Sequence, residues 1–353
     1  MAGLAVDGSG NLERIAWARL YHAYGPAVDV PGQLRALRDP DPDARAQALG
    51  QLFGNVCHQG TRWQASAYVV PFLVGLVDDP RTPGRPAIAQ LLTRIAIGDL
   101  RDDRLPFDHV GAFAAGAALT EDQIAEVVRR VYHEDDPFDD DAFSLLADRA
   151  VVRWAAEAYR AAAEHVDSYR RWLADPDPGV AARAAALLAW FPATDATLAA
   201  LLAVPSDRVG VRASANLTIA HSPDTRPDVD RHLTALLVAS SGHTVIASSG
   251  HVARNGSGQV AGDSLVPSGN LVPGDGLAAA ESLAAGERLV AGDSLVSVSA
   301  AVALAYRNGH AVPDIALTCL VDAYGSSLPD EIPGWTRAPR GFVALALQRL
   351  GLA

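Results

Sequence analysis

"SYRRWLADPDPGVAARAAALLAWF", residues 168–191, reads as two short helices around an Asp-Pro-Asp-Pro turn. An earlier copy, "VPGQLRALRDPDPDARAQALGQLF" at 30–53, keeps the same order. Asp39 and Asp175 can end one helix and supply side-chain acceptors. Pro42 and Pro178 are tolerated in the first turn of the next helix, where a backbone N–H has no intrahelical partner anyway. A third copy, "TLAALLAVPSDRVGVRASANLTIA" at 197–220, keeps the form with a different turn. "YVVPFLVGLVDD" followed by "TPGRPAIAQLLTRIA", at 68–79 and 82–96, repeats it again. At 120–123 "TEDQ" is a capping-box start, pairing Thr120 with Gln123.

These units resemble HEAT repeats, in which paired antiparallel helices of about 40–47 residues per unit stack into a solenoid. In HEAT repeats the second helix opens with a turn Asp, a small apolar residue and then Arg. "DPDPDAR" matches with Ala44–Arg45 and "DRVGVR" with Val211–Arg212. The copy at 175–183 has Ala181 where the Arg would fall, so a stacked Asp–Arg ladder is expected to break there. "FGNVCHQGT" at 53–61 is similar to a group of bacterial HEAT-repeat proteins without an assigned activity. The resemblance covers 28–98 and 168–350. It implies an all-α fold, an α-α superhelix of the HEAT type, and the binding of other macromolecules. The expected organisation is a lead-in at 1–27, helix pairs over 28–238, an insert at 239–296 and further pairs over 297–353. The path at 100–165 is left open, because the repeat signal fades there.

The insert is marked by "VAGDSLV", which occurs at 260–266 and again at 290–296. Leu falls at 265, 271, 277, 283, 289 and 295, and "ASSGH" occurs at 239–243 and 247–251. A step of six places successive Leu side chains about 240° apart around a helix, so no amphipathic face forms. The stretch reads as a low-complexity tandem repeat, a flexible insert first and a small β-rich excursion as the alternative. It would sit between a first helix at 228–239 and a second at 298–309, where a solenoid tolerates insertion. The phrase also resembles the GDSL block of certain hydrolases. Ser264 and Ser294 are equivalent copies, however, and no D-x-x-H follows, whereas catalysis needs one serine fixed beside a base.

Composition narrows the function. Apolar residues make up 49% of the 353, enough for a large core. All 29 basic residues are Arg, which excludes P-loop, protein-kinase and Schiff-base lysine chemistry. A net charge of −12 disfavours nucleic acid, where affinity comes from neutralising phosphates, and favours a basic or mixed-charge protein partner. Two cysteines cannot build a disulfide framework. No secretory signal or membrane span is legible, and a soluble cytoplasmic protein is expected.

Two polar stretches stand out. "NVCHQGTRW" at 55–63 carries Cys57, His58, Gln59, Arg62 and Trp63 in a turn longer than helix pairing requires. It reads as a structured turn that hydrogen-bonds helix ends, or as a binding hot spot. Adjacent Cys and His point different ways from most backbones, and no second pair offers zinc-ligand spacing. Trp63 and Trp335 lie in Gly-, Pro- or Arg-rich turns and are candidate surface anchors. "YHEDDPFDDDAF" at 132–143 groups His133, Glu134, Asp135, Asp136, Asp139, Asp140 and Asp141, an oxygen-ligand density that could hold Ca²⁺ or Mg²⁺ but lacks the spacing of an EF-hand. It reads as a solvated acidic loop or a docking patch for a basic partner. No metal, cofactor or catalytic residue is assigned.

The expected function is protein–protein binding through the solenoid surface. The alternatives are an enzyme or small-molecule module in the solenoid groove, as the HEAT-like DNA glycosylases and bilin lyases suggest, and a neutralising partner of a toxin.

Overall fold

A computed structural model describes residues 12–135, 138, 140–249 and 294–352. These residues are overwhelmingly helical, and the strands among them form two hairpins of two-residue strands. The fold is all-α. The chain forms two compact units. The first comprises the chain up to Val204 with His221–Asp224 and Pro333–Thr336. The second holds the described parts of Pro205–Ala220, Thr225–Ile332 and Arg337–Ala353. The boundary divides the third sequence copy at its Val204–Pro205 turn.

In the first unit, α1 (Val30–Ala36) and α2 (Pro42–Val56) make one helical hairpin. The two turn aspartates divide the work. Asp39 Oδ1 accepts from Asp41 N–H at 2.9 Å and closes the turn, while Asp41 Oδ1 accepts from Asp43 N–H at 3.0 Å and caps α2. The same division recurs between α8 (Val166–Trp172) and α9 (Pro178–Leu188). There Asp175 accepts from Asp177 N–H at 2.9 Å, and Asp177 accepts from Gly179 N–H at 2.8 Å. Local capping chemistry therefore places both second helices.

Helices α3 (Ser66–Asp78) and α4 (Arg85–Ile97) form the next hairpin, and α9 packs directly against α4. The segment between them, α5 (His109–Ala117), α6 (Glu121–His133) and α7 (Asp141–Ala163), is an excursion from that stack. The long α7 lies against α3, α4, α5 and α6. Thr120 and Gln123 cap α6 reciprocally, as the sequence indicates. Leu119, Ile124, Val127, Phe143, Ala150 and Trp154 bury a shared core under α6 and α7. Gly116 lets α5 approach the α7 backbone closely, since a Cβ there would meet Arg153 Cα at 2.8 Å. The unit's last helix is α10 (Asp195–Leu202), which packs against α8.

The α8–α9 turn is tied to the preceding hairpin. Asp175 takes its arginine from the preceding hairpin: Arg85 donates Nη1 to Asp175 Oδ1 at 3.1 Å and Nη2 to Oδ2. Arg85 Nε donates to Val77 O at 2.8 Å, so one guanidinium ties the end of α3, the start of α4 and the α8–α9 turn. Asp78 adds a second tie by accepting from Trp172 Nε1 at 2.7 Å.

The second unit contains α11 (Val209–Ala220), α12 (Pro227–Ser249), α13 (294–308), α14 (Asp314–Gly325) and α15 (Pro339–Arg349). Asn216 joins α11 to α13 by donating to Ser299 Oγ at 3.1 Å. Arg307 Nε joins α13 to α12 by donating to Asp230 Oδ1 at 2.7 Å. Helix α12 continues through the first "ASSGH" and into the second, and α13 starts at 294 with Leu295 and Val296 buried. Residues 250–293, which hold Ser264 and most of the hexads, lie outside the described residues. Among the described residues no helix is long and apolar enough to cross a membrane.

Candidate functional site

The polar stretch at 55–63 folds into a hairpin of β3 (Cys57–His58) and β4 (Thr61–Arg62); a second hairpin, β1 (Tyr21–His22) and β2 (Gly25–Pro26), lies beside it. Its turn residues Gln59 and Gly60 both have positive φ, 48° and 77°, the pattern of a tight two-residue hairpin turn. Gly60 is required because a Cβ there would collide with the Asp99 carboxylate. Gln59 has no such freedom, and a non-glycine residue in this region costs about 1–2 kcal/mol. The two hairpins are laced by Ala23 N–H to Asn55 O at 3.0 Å and Ala65 N–H to Tyr21 O at 2.9 Å.

Beneath them lies a polar network centred on Asp29. Its Oδ1 accepts from His22 Nε2 at 2.9 Å, and its Oδ2 accepts from Gln33 Nε2 at 2.8 Å and Asn55 Nδ2 at 2.9 Å. His22 Nδ1 accepts from Tyr24 N–H at 3.1 Å, so both ring nitrogens are engaged. Tyr132 OH donates to His22 O at 2.6 Å. Burial pushes the Asp29 carboxyl up, but the hydrogen bond and electrostatic attraction of His22, followed by the bonds from its own backbone and Asn55, outweigh it and hold the group below its ordinary range. A depressed carboxyl stabilises the fold above its unfolded value and loses that contribution as pH falls through the folded one. Asn55→Ala is therefore expected to cost about 1–3 kcal/mol at neutral pH, because Asp29 and Gln33 lose a buried partner. Urea unfolding at neutral and acid pH should show that cost shrinking as Asp29 is protonated.

The nominated residues separate by strand alternation. Cys57 is fully buried and its Sγ donates to Arg94 O at 3.3 Å. Burial pushes its thiol up despite the nearby Arg62 and Arg94, the opposite of what a nucleophile needs. His58 turns outward, with Nδ1 bonded to Tyr24 OH at 3.1 Å. Gln59 is exposed at the tip, while Arg62 is buried and donates to Gly60 O at 2.8 Å. Burial lowers the Arg62 guanidinium. Trp63 is half-buried, its ring 5.9 Å from Trp154 and 6.3 Å from Tyr132, and so is an extension of the α6–α7 core rather than a free anchor. Trp335 is not part of this group. It stacks on His221 at 5.7 Å, in a loop where Gly334 lies against α9.

Tyr21, His22, Tyr24 and Asp29 complete the cluster without having been nominated, and Asn55, Tyr132 and His133 join it from the edges of the two polar stretches. Tyr21 OH meets His133 Nε2 at 3.2 Å, and its ring lies 4.7 Å from Tyr132. The available signal was "YHAYGP" at 21–26, aromatic residues around a Gly-Pro turn.

The acidic stretch is less of a patch than its composition suggests. Glu134 is bound by Arg129 and by Arg130 Nε at 3.1 Å. Asp140 caps α7, accepting from Ala142 N–H at 2.9 Å, and also pairs with Arg130. Asp135 and Asp141 are exposed, and Asp136 and Asp139 lie outside the described residues. Among the described residues no group of three or more potential ligands gathers as a metal site would require. Comparison with known proteins found no matching family model, no matching curated protein and no matching solved structure.

Proposed function

We propose that this protein is a HEAT-type scaffold whose helical hairpins stack as a superhelix and bind a protein partner of basic or mixed charge. The observation that carries this reading is the buried Arg85–Asp175 pair, which fastens α8/α9 directly to α3/α4 across an excursion of three helices. Hairpins that stack on their neighbours present long, low-curvature helix faces, a surface suited to another macromolecule. The net charge of −12 favours a basic partner. A catalytic reading has less behind it, since the Cys57 thiol is sealed in and both His22 ring nitrogens are engaged.

The test is affinity capture from the source cells with tagged full-length chain at low salt. A variant with a Gly-Ser linker in place of 250–293 runs in parallel, and each candidate is reconstituted from purified components. A stoichiometric complex with both chains is the expected result. Failure to reconstitute any protein complex would overturn the reading.

A further inference from the structure

Tyr24 and Val28 are 68% and 65% exposed, unusual for an aromatic and a β-branched residue beside a buried polar network. Tyr24 is held rigidly. Its N–H is bonded to His22, its OH to His58, and its ring meets the His58 ring edge-on at 5.3 Å. Asp29 bonds the His22 imidazole at Nε2, the nitrogen opposite the one that Tyr24 N–H reaches, and its side chain is 48% exposed. Asp79, Asp99, Glu126, Glu134 and Asp175 all pair with arginines. Among the described residues no arginine pairs with Asp29. Its three donors are His22, Gln33 and Asn55, and none of them is a guanidinium. The strained Gln59 stands next to His58 at the exposed tip, and strain at an exposed position is commonly held for a function.

We propose that Tyr24, Val28, Asp29 and His58 form a receiving site for a cationic side chain, an arginine or lysine, presented by the protein partner. The inference rests on the scaffold reading and names where that partner makes contact. A cationic head group gains from the face of the exposed Tyr24 ring and from the Asp29 carboxylate, and its methylene stem can cover exposed apolar surface such as Val28. The pre-ordered rings lose little conformational freedom on binding.

The test is amide NMR of the isotopically labelled full chain titrated with acetyl-Gly-Arg-Gly-amide, with the citrulline peptide as the neutral isostere. Saturable shifts at the amides of Tyr24, Val28, Asp29, His58 and Gln59 are expected with the arginine peptide and not with citrulline. Tyr24→Ala, which leaves the Asp29 network intact, should weaken binding about threefold to fivefold. Asp29→Asn should weaken it further. Equal shifts with citrulline, no shifts at these amides, or shifts spread evenly to remote carboxylates such as Asp322 would overturn the proposal. A partner captured equally by wild type and Tyr24→Ala would refute this site and leave the scaffold reading standing.

Discussion

Asp175→Ala is expected to destabilise the protein by about 3–5 kcal/mol, because it strands the Arg85 guanidinium in a nearly closed site. The two side chains are only 8% and 10% exposed. The remaining bond of Arg85, to Val77 O, cannot neutralise a charge. The pair as such is not expected to be worth that much, since desolvation offsets much of the attraction between buried ions. The double variant Arg85→Met with Asp175→Leu should recover most of the loss. Urea unfolding of the wild type, the single variant and the double variant measures both effects. A loss below about 1 kcal/mol for Asp175→Ala would mean that the pair is solvated like a surface salt bridge.

Trp154→Ala is the second large effect, at about 3–5 kcal/mol. The side chain is 3% exposed and sits among Phe143, Ala147 and Ala150 of α7 and the residues of α6 that face it. Its removal leaves a cavity that helices on both sides cannot close without losing other contacts. It also withdraws the ring against which Trp63 rests, so the β3–β4 hairpin should exchange its amides faster. Leu145→Ala, on the exposed side of the same helix, is the control and should stay within about 0.5 kcal/mol. Equal losses at the two positions would show that α7 is not packed by the face assigned to it.

The parts of the fold that local chemistry dictates were legible. Asp39 and Asp175 supply acceptors in their turns and Thr120 pairs with Gln123, because such bonds act over two or three residues, while the caps themselves, Asp41 and Asp177, emerge only in the structure. The partner of α7 was not legible. Its apolar face is visible in the sequence, but the choice of α3 and α4 as neighbours is a tertiary matter. The extent of α12 was hidden for another reason: Ser and Gly in "ASSGH" are poor helix formers, yet a helix once nucleated propagates through them.

For the site, Cys57, His58, Gln59, Arg62 and Trp63 drew notice as an unusual polar run and do form one hairpin with its flank. Their most important neighbours are remote in sequence: Asn55 reaches back to Asp29 across 26 positions, and Tyr132 reaches His22 across 110. Two-residue strands are also too short for alternation to register. Gln-Gly is a weaker turn signal than Asn-Gly, so the hairpin went unread.

The direct stacking of α8/α9 on α3/α4 underlies both the scaffold reading and the order of the helices. A Cβ built on Gly179 would lie 3.2 Å from Pro86 Cβ, close to the spacing of about 3.5–4.5 Å that a disulfide requires. The decisive measurement is oxidation of the Pro86→Cys, Gly179→Cys variant, in a background with Cys57 and Cys319 replaced by Ala, read by non-reducing peptide mapping. Direct stacking predicts an intramolecular 86–179 disulfide in nearly all of the folded protein. Two thiols that stay free under the same oxidation, while the chain remains folded, would contradict it.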